Sequence, residues 1–427
     1  MHTFDAFNAL PFRFLWASNM SLYISRWMQT TTLSWFVYNE TQSAFMVGLI
    51  NFFGMAPFLL FGLFGGIIAD RLNKKILIVF TQFLTLITAA IMTLLMVFDL
   101  LEIWHVFIGI FIPGLCWALD MPSRRSLIMD MLGSTRITNG IALDSVGMHL
   151  SKMAGPAIGG ALIAFTGVAG SYIFLTTVIF LGWFLLLGVK PNVTSPYSQT
   201  AKTPEHLILT HHGFVETTKF VFMELKAGFS YAFTNQIIAA VIVITVLMNL
   251  LLFPYMQMIT VISGEVLFVG PLLMGILMAS DGLGALMGSI SLASINNMHF
   301  HGRYYFYGSI LSLLALLFFS FSNTYIVSLI LLIFLGMGTA GFGTMQSAIV
   351  LLVSKKEFRG RCMGVITIGI GASPLGSLFL GLIAEQLSTQ SALRINAVIG
   401  LFLVIAAGFF MSAIRGRILP DINEKET

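Results

Sequence analysis

Apolar stretches of about 20 residues follow one another along the chain, each long enough to cross a hydrocarbon core of roughly 30 Å as a helix. Twelve such segments are read, at residues 14–38, 45–69, 76–98, 103–121, 138–165, 171–187, 235–258, 268–290, 304–322, 325–345, 363–384 and 393–411. Helices are required, because an open strand edge in lipid leaves backbone N–H and C=O groups unpaired. The polar breaks between segments are unevenly charged. Arg13, Arg71, Lys74, Lys75, Arg124, Arg125, Arg136, Lys190, Lys202, Lys219, Lys226, Arg303, Lys355, Lys356, Arg359, Arg361, Arg415, Arg417 and Lys425 fall on one side in this reading. The opposite loops hold Arg394 alone, while Arg26 and Lys152 lie inside segments. The positive-inside rule therefore predicts that both termini are cytoplasmic. The pattern as a whole predicts an all-α membrane protein of twelve transmembrane helices.

The one long hydrophilic interruption begins at Lys190, rich in Pro, Thr, Ser and His, and turns amphipathic around residues 220–233. It divides the chain into two pseudo-symmetric six-helix bundles, 1–189 and 229–414. Between them lies a cytoplasmic linker, 190–228, with an amphipathic helix against the membrane; residues 415–427 form a cytoplasmic tail. The halves echo each other: Arg136 precedes segment five, which holds Gly155-Pro156, and Arg359-Gly360-Arg361 precedes segment eleven, which holds Ser373-Pro374. Two such repeats meeting at a central site form a common transporter plan.

Composition sharpens this picture. Of 427 residues 57% are apolar and 9% charged, with a mean hydropathy of +0.92. A soluble domain carries roughly 25% charged residues, so a water-soluble globule is excluded. The net charge of +4 reflects loop topology rather than a nucleic-acid partner. Cys116 and Cys362 match no disulfide framework or metal motif. His206, His211 and His212 in the linker lack a Cys or carboxylate at ligand spacing, so no metal is expected. The first 16 residues lack the basic start, short apolar run and small-residue cleavage site of a removable signal peptide.

The loop after segment two reads Gly66-Ile67-Ile68-Ala69-Asp70-Arg71-Leu72-Asn73-Lys74-Lys75. It resembles the major facilitator superfamily signature of Gly-x-Leu-Ala-Asp-Arg-x-Gly-Arg-Arg type, with Ile68 and Asn73 replacing the usual Leu and Gly. The resemblance implies a conformational latch of Gly66, Asp70, Arg71, Lys74 and Lys75 that holds one state closed; anchoring of the loop by its basic residues is the competing reading. Segment five carries Gly155-Pro156-Ala157-Ile158-Gly159-Gly160, with small Ser151 and Ala142 upstream, similar to the family's antiporter motif. There Pro bends the helix and Gly155, Gly159 and Gly160 permit tight packing, so a structural role stands beside a role in exchange. Asp120-Met121-Pro122-Ser123-Arg124 followed by Asn139-Gly140-Ile141-Ala142-Leu143, with Trp27-Met28-Gln29 and Arg359-Gly360-Arg361, resembles the drug-exporter-like and siderophore-exporter-like branch, enterobactin-exporter-like members included. This branch implies a bacterial inner membrane.

Ionisable residues inside the bilayer cost at least about 2.5–3.5 kcal/mol at a helix centre unless paired or hydrated. Four are read there, Arg26, Asp144, Lys152 and Asp281. Asp281 lies mid-segment among small residues, where a proton carrier and a fixed ion pair with Lys152 or Arg26 are the two leading readings, ahead of direct contact with substrate. Asp144 lies nearer the cytoplasmic end, which favours a solvated or loop-pairing role. His149, one turn from Lys152 and Ser145, is a candidate relay or a polar residue satisfied between helices. In the family, segments one, four, seven and ten line the cavity, which makes Tyr23, Trp27, Trp117, Tyr255 and Gln257 the candidate substrate contacts.

The expected function is secondary active transport by alternating access, with proton-coupled export of a small amphiphilic organic molecule, a drug-like compound or a siderophore. Uptake or uniport without proton exchange is the alternative. No phosphate-binding loop of Gly-x-x-x-x-Gly-Lys-Ser/Thr type is present, so the proton gradient rather than ATP or a cofactor is the expected energy source. No nucleophile–base pair, twin catalytic aspartates or His-Glu-x-x-His motif points to a membrane enzyme, and no selectivity-filter-like segment points to a channel. Two six-helix halves make a complete transport unit, so the expected state is a monomer in the lipid bilayer.

Overall fold

The computed structural model describes residues 5–71, 73–189, 223, 226–295 and 300–417, with the backbone alone at 62–71, 133–135, 138 and 356. These residues are almost wholly helical. After a 3-10 turn at Asp5–Asn8 come α1 (Leu10–Thr41), α2 (Ala44–Arg71), α3 (Lys74–Val97) and α4 (Ile103–Leu187). Then follow α5 (Gln236–Leu247), a π-helical turn at Met248–Leu252, α6 (Tyr255–Glu265), α7 (Pro271–Ala293) and α8 (His301–Phe319). The chain ends with α9 (Tyr325–Val353), α10 (Arg359–Ile370), α11 (Ser373–Gln386) and α12 (Thr389–Phe410). Among the described residues ten helical stretches are long and apolar enough to cross a membrane by length and composition.

That count differs from the twelve segments for two physical reasons. α1 is long enough, but Ser18, Asn19, Ser21, Ser25, Arg26, Gln29 and its Thr residues make it too polar to qualify on composition. Segments five and six run together in one stretch, Asn139–Leu187, within the 85 hydrogen-bonded residues of α4. A straight helix of that length would reach about 130 Å at 1.5 Å per residue. Instead it doubles back: a Cβ at Gly140 would lie 2.2 Å from Leu132 Cδ1 and 3.1 Å from Ile128 Cγ2. A second reversal falls at Gly167, whose φ of +73° is open to glycine at little steric cost. Before it, Leu143, Gly147 and Gly155 meet Trp16, Met20 and Trp27 in rising order along α1; after it, Ser171, Tyr172 and Gly182 meet Thr32, Gln29 and Ser21 in falling order.

The chain divides into two compact units. One is made of the chain up to Phe36 together with the stretch from Phe53 through α4; the other takes in Val37–Phe52 and α5 to α12. In the first unit, α3 shows the amphipathicity of a helix in lipid. Its inward face carries Thr81, Gln82, Thr85 and Thr88, all buried, while Ile76, Phe80, Phe83, Ile87 and Leu94 are exposed. The Thr85 and Thr88 hydroxyls donate to carbonyls one turn back, so their polarity is satisfied within the helix. Exposed apolar side chains on this scale, Phe165, Phe402, Phe409 and Phe410 among them, suit a lipid surround rather than water.

In the second unit two expected segments are broken. Segment seven becomes α5, the π-turn and α6, with Pro254 at the joint; segment eleven becomes α10 and α11, parted at Gly371 and Ala372 before Pro374. Proline cannot donate the helix bond, and here it opens the second half of each broken pair. The two breaks abut, since a Cβ at Gly376 would fall 2.1 Å from the Leu250 carbonyl oxygen. The amphipathic segment before α5 is described from Lys226 onward. Residues 226–234 are helical, with Gly228 and Ala232 buried and Phe229 and Phe233 exposed and stacked 6.2 Å apart. Tyr231 anchors it, stacking on Phe358 at 4.1 Å while its hydroxyl accepts from the Lys355 N–H. Linker residues 190–222, including His206, His211 and His212, and tail residues 418–427 lie outside the described residues.

Candidate functional site

The first unit is organised around a buried ion pair that the sequence reading placed partly outside the membrane. Arg124 was expected in a cytoplasmic loop, beyond a segment ending at residue 121. The structure corrects this: α4 continues helical through Pro122 to residue 132 and beyond, and Arg124 is 2% exposed. Asp120 and Arg124 stand four apart, on one helix face, with Nε 2.5 Å from Oδ2. Arg124 Nη1 donates to Asn19 Oδ1 at 2.6 Å and Nη2 to Gln82 Oε1 at 2.7 Å. Thr81 donates to Asp120 Oδ1 at 3.0 Å, and Ser18 to Gln82 Oε1 at 3.1 Å. Each partner supplies what a buried charge needs, an opposite charge and filled hydrogen bonds. The available signal was the Asp-to-Arg spacing itself together with Asn19 and Gln82 in otherwise apolar surroundings.

This knot extends to the sequence-predicted residues. Asn19 also donates to Asp144 Oδ1 at 2.7 Å, and the Tyr23 hydroxyl to Asp144 Oδ2 at 3.1 Å. Asp144, expected in a solvated or loop-pairing position, is thus a half-buried carboxylate tied to α1. Tyr23 packs edge-on against Trp117 at 5.5 Å, and the Arg26 guanidinium lies 4.9 Å over the same Trp117 ring. Lys152 Nζ is 5.9 Å from the Trp27 ring centroid. Arg26, Tyr23, Trp117 and Asp144 are therefore brought together, with Trp27 and Lys152 as a second cation–aromatic pair. His149 is half-buried on the same turn of α4 as Lys152.

Gly155 lets α1 and α4 touch: a Cβ there would lie 2.5 Å from Trp27 Cβ and 3.0 Å from the Ile24 carbonyl oxygen. Gly159 is less demanding, with Met28 Cα at 3.5 Å from such a Cβ, and Pro156 and Gly160 are buried beside it. At the other end of the unit, Lys74 pairs with Asp130 at 2.8 Å and Lys75 Nζ donates to the Leu187 carbonyl at 3.3 Å. The side chains of Asp70 and Arg71 fall outside the described residues, and the backbone of Gly66, Asp70 and Arg71 forms the last turns of α2.

The second unit carries a counterpart without charge. Gln346 Nε2 donates to Thr245 Oγ1 at 2.7 Å, Thr245 and Tyr305 share a hydroxyl bond of 3.0 Å, and Tyr305 reaches the Val241 carbonyl at 2.9 Å. Asp281 sits on α7 with no exposed surface, facing the Tyr255 hydroxyl on α6. Here α7 and α9 cross closely: Cβ atoms at Gly336 and Gly284 would lie 2.1 and 2.0 Å from the Asp281 and Ile333 carbonyl oxygens. Gln257 donates to Asn51 Oδ1 at 3.3 Å, and Asn51 donates to Ser373 and Ser377 at 3.2 and 2.5 Å. Tyr255 and Gln257 are both buried; Gln257 is thus joined to the start of α2.

This helical bundle, with polar knots inside and apolar residues outside, has solved counterparts of the same fold. A POT family transporter crystallised with 5-aminolevulinic acid superposes with a TM-score of 0.74 at 12% identity, covering 95% of this chain and 96% of that one. A mutant of the nucleoside transporter NupG superposes with a TM-score of 0.68 at 14% identity, over 95% and 100%. In sequence, the chain is 22% identical over 374 residues to the "Staphyloferrin A transporter" of Staphylococcus aureus, covering 87% of this chain and 89% of that protein.

The family model described as "Transmembrane secretion effector" matches residues 1–418, and the chain belongs to that family. It is a membrane transporter of the major facilitator superfamily, as its motifs imply, and its family and relatives are transporters rather than enzymes.

Proposed function

We propose that the protein is a secondary active transporter that exports a small amphiphilic organic molecule, a drug-like compound or a siderophore, in exchange for protons by alternating access. Its chain crosses a bacterial inner membrane twelve times in two six-helix halves, 1–189 and 229–414, with cytoplasmic termini, and works as a monomer. The observation that carries the coupling is Asp281, a carboxylate with no exposed surface midway along an apolar helix. Carboxylates within membrane helices serve proton relays in pumps and transporters, and that role is the one assigned to Asp281. Tyr255, from the half of segment seven beyond the π-turn, faces it. The relative from Staphylococcus aureus, named for transport of staphyloferrin A, supports a siderophore-like cargo.

The test is proton flux in proteoliposomes of the purified protein, challenged with lipophilic cations, macrolide-like compounds and siderophores, with Asp281→Asn alongside. Cargo-triggered proton movement that is lost in the variant supports exchange and assigns the coupling carboxylate. Cargo movement without protons sinks exchange in favour of uniport. Proton movement unchanged in Asp281→Asn transfers coupling to Asp144 or His149.

A further inference from the structure

The polar knot of the first unit leaves donors over. Beside it lies a cavity of about 20 Å³, the room of a single water, walled by α1, α3 and α4. Ser25 Oγ and Gln82 Nε2 line it, both buried, and among the described residues neither meets a hydrogen-bond partner. The amide orientation of Gln82 is fixed by its neighbours: Oε1 accepts from Arg124 and Ser18, which turns the Nε2 donor away from them. Arg26 lines the same cavity, and among the described residues its guanidinium meets the Trp117 ring and, at 3.8 Å, the Met55 sulfur, but no carboxylate. Asp120 is held by Arg124 and Thr81, and Asp144 by Asn19 and Tyr23. Asp120 also lines the cavity but is paired with Arg124, so what the cavity offers is a set of donors, the Arg26 guanidinium, Ser25 Oγ and Gln82 Nε2, without a facing carboxylate of their own among the described residues.

We propose that this cavity binds a carboxylate group of the transported molecule, with Arg26 as the residue that selects anionic over cationic cargo. The proposal rests on the reading of the chain as a transporter of small organic molecules and names their chemical class. A guanidinium presents a planar fork that a carboxylate meets with two parallel bonds, and Ser25 and Gln82 supply donors to the remaining lone pairs. The Trp117 face that now carries the guanidinium is an apolar wall for the cargo's body. A cavity the size of one water admits the group only as the Arg26 and Trp117 side chains part, which ties entry of the anion to movement of α1 against α4. The same oxygen-anion chemistry is offered by a lipid phosphate headgroup, and the test separates the two sources.

Binding is measured without any gradient, so its outcome is independent of coupling and of direction. Full-length protein in phosphatidylcholine nanodiscs is titrated calorimetrically with 1-naphthylacetate, its methyl ester and tetraphenylphosphonium. The expected result is an acid-over-ester preference of about tenfold or more, the size of a charge-assisted pair. Arg26→Gln should abolish that preference and Arg26→Lys retain part of it, and each variant's ester affinity serves as its own control for folding and partitioning. Equal binding of acid and ester, an undiminished preference in Arg26→Gln, or tighter binding of tetraphenylphosphonium than of the acid overturns the proposal. Loss of the acid preference when phosphatidylglycerol is added to the nanodisc assigns the cavity to a lipid headgroup and overturns it as a cargo site.

Discussion

Replacing Arg124 by methionine tests whether the residue is a buried partner or a loop cation. In the structure its guanidinium is 2% exposed and makes bonds of 2.5, 2.6 and 2.7 Å to Asp120, Asn19 and Gln82. Methionine fills a similar volume but leaves Asp120 as a buried carboxylate held by Thr81 alone, with Asn19 and Gln82 each short of a donor. Removing one member of a buried pair costs about 3–5 kcal/mol. In an unfolding equilibrium that is a factor of roughly 10² to more than 10³, since each 1.4 kcal/mol is tenfold. The readout is reversible unfolding of the purified protein in mixed detergent micelles, for the parent, Arg124→Met, Asp120→Asn and the double variant. Because the two side chains touch, the double variant should lose much less than the sum of the singles, with a coupling of about 1–3 kcal/mol. A cost for Arg124→Met below about 1 kcal/mol is what an exposed charge gives, and would refute the burial.

Other positions make separate predictions. Gly155→Ala and Gly376→Ala place a methyl 2.5 Å from Trp27 Cβ and 2.1 Å from the Leu250 carbonyl oxygen, so each should lose about 1–3 kcal/mol in the same assay. Gly343→Ala, on α9 with nothing within 4 Å, should instead gain up to about 1 kcal/mol from helix propensity; equal behaviour of all three would refute the close approaches. Tyr305→Phe removes the hydroxyl that Thr245 and the Val241 carbonyl share, and should cost about 1–3 kcal/mol, whereas a neutral effect would mean that water enters there.

The sequence alone carried the helical class, because period-independent apolar runs of membrane length admit only helices, and it carried the family, because the motifs are short and local. It also singled out Arg26, Asp144 and Lys152 as ionisable residues within apolar segments, and the structure brings Arg26 and Asp144 around Tyr23 and Trp117 while Lys152 lies over Trp27. What hydropathy could not carry was the environment of polar residues near segment ends. Arg124 stands two residues after Pro122 and precedes Arg125, a pattern that reads as loop, yet α4 runs on through Pro122 and buries it. Likewise the breaks in segments seven and eleven lie within apolar runs, where a window average sees no change; only the packing of Gly376 onto Leu250 reveals that they meet.

The chain by itself determined that its solvent is lipid and that its polar residues must turn inward. Those follow from transfer free energies, which are properties of composition along a segment. Only the tertiary structure decided which donor meets which acceptor. That Asp120 meets Arg124 while, among the described residues, Ser25 Oγ and Gln82 Nε2 meet no hydrogen-bond partner depends on three helices converging at a few ångströms, and hydrogen bonding is too short-ranged and directional to be read from spacing along one of them.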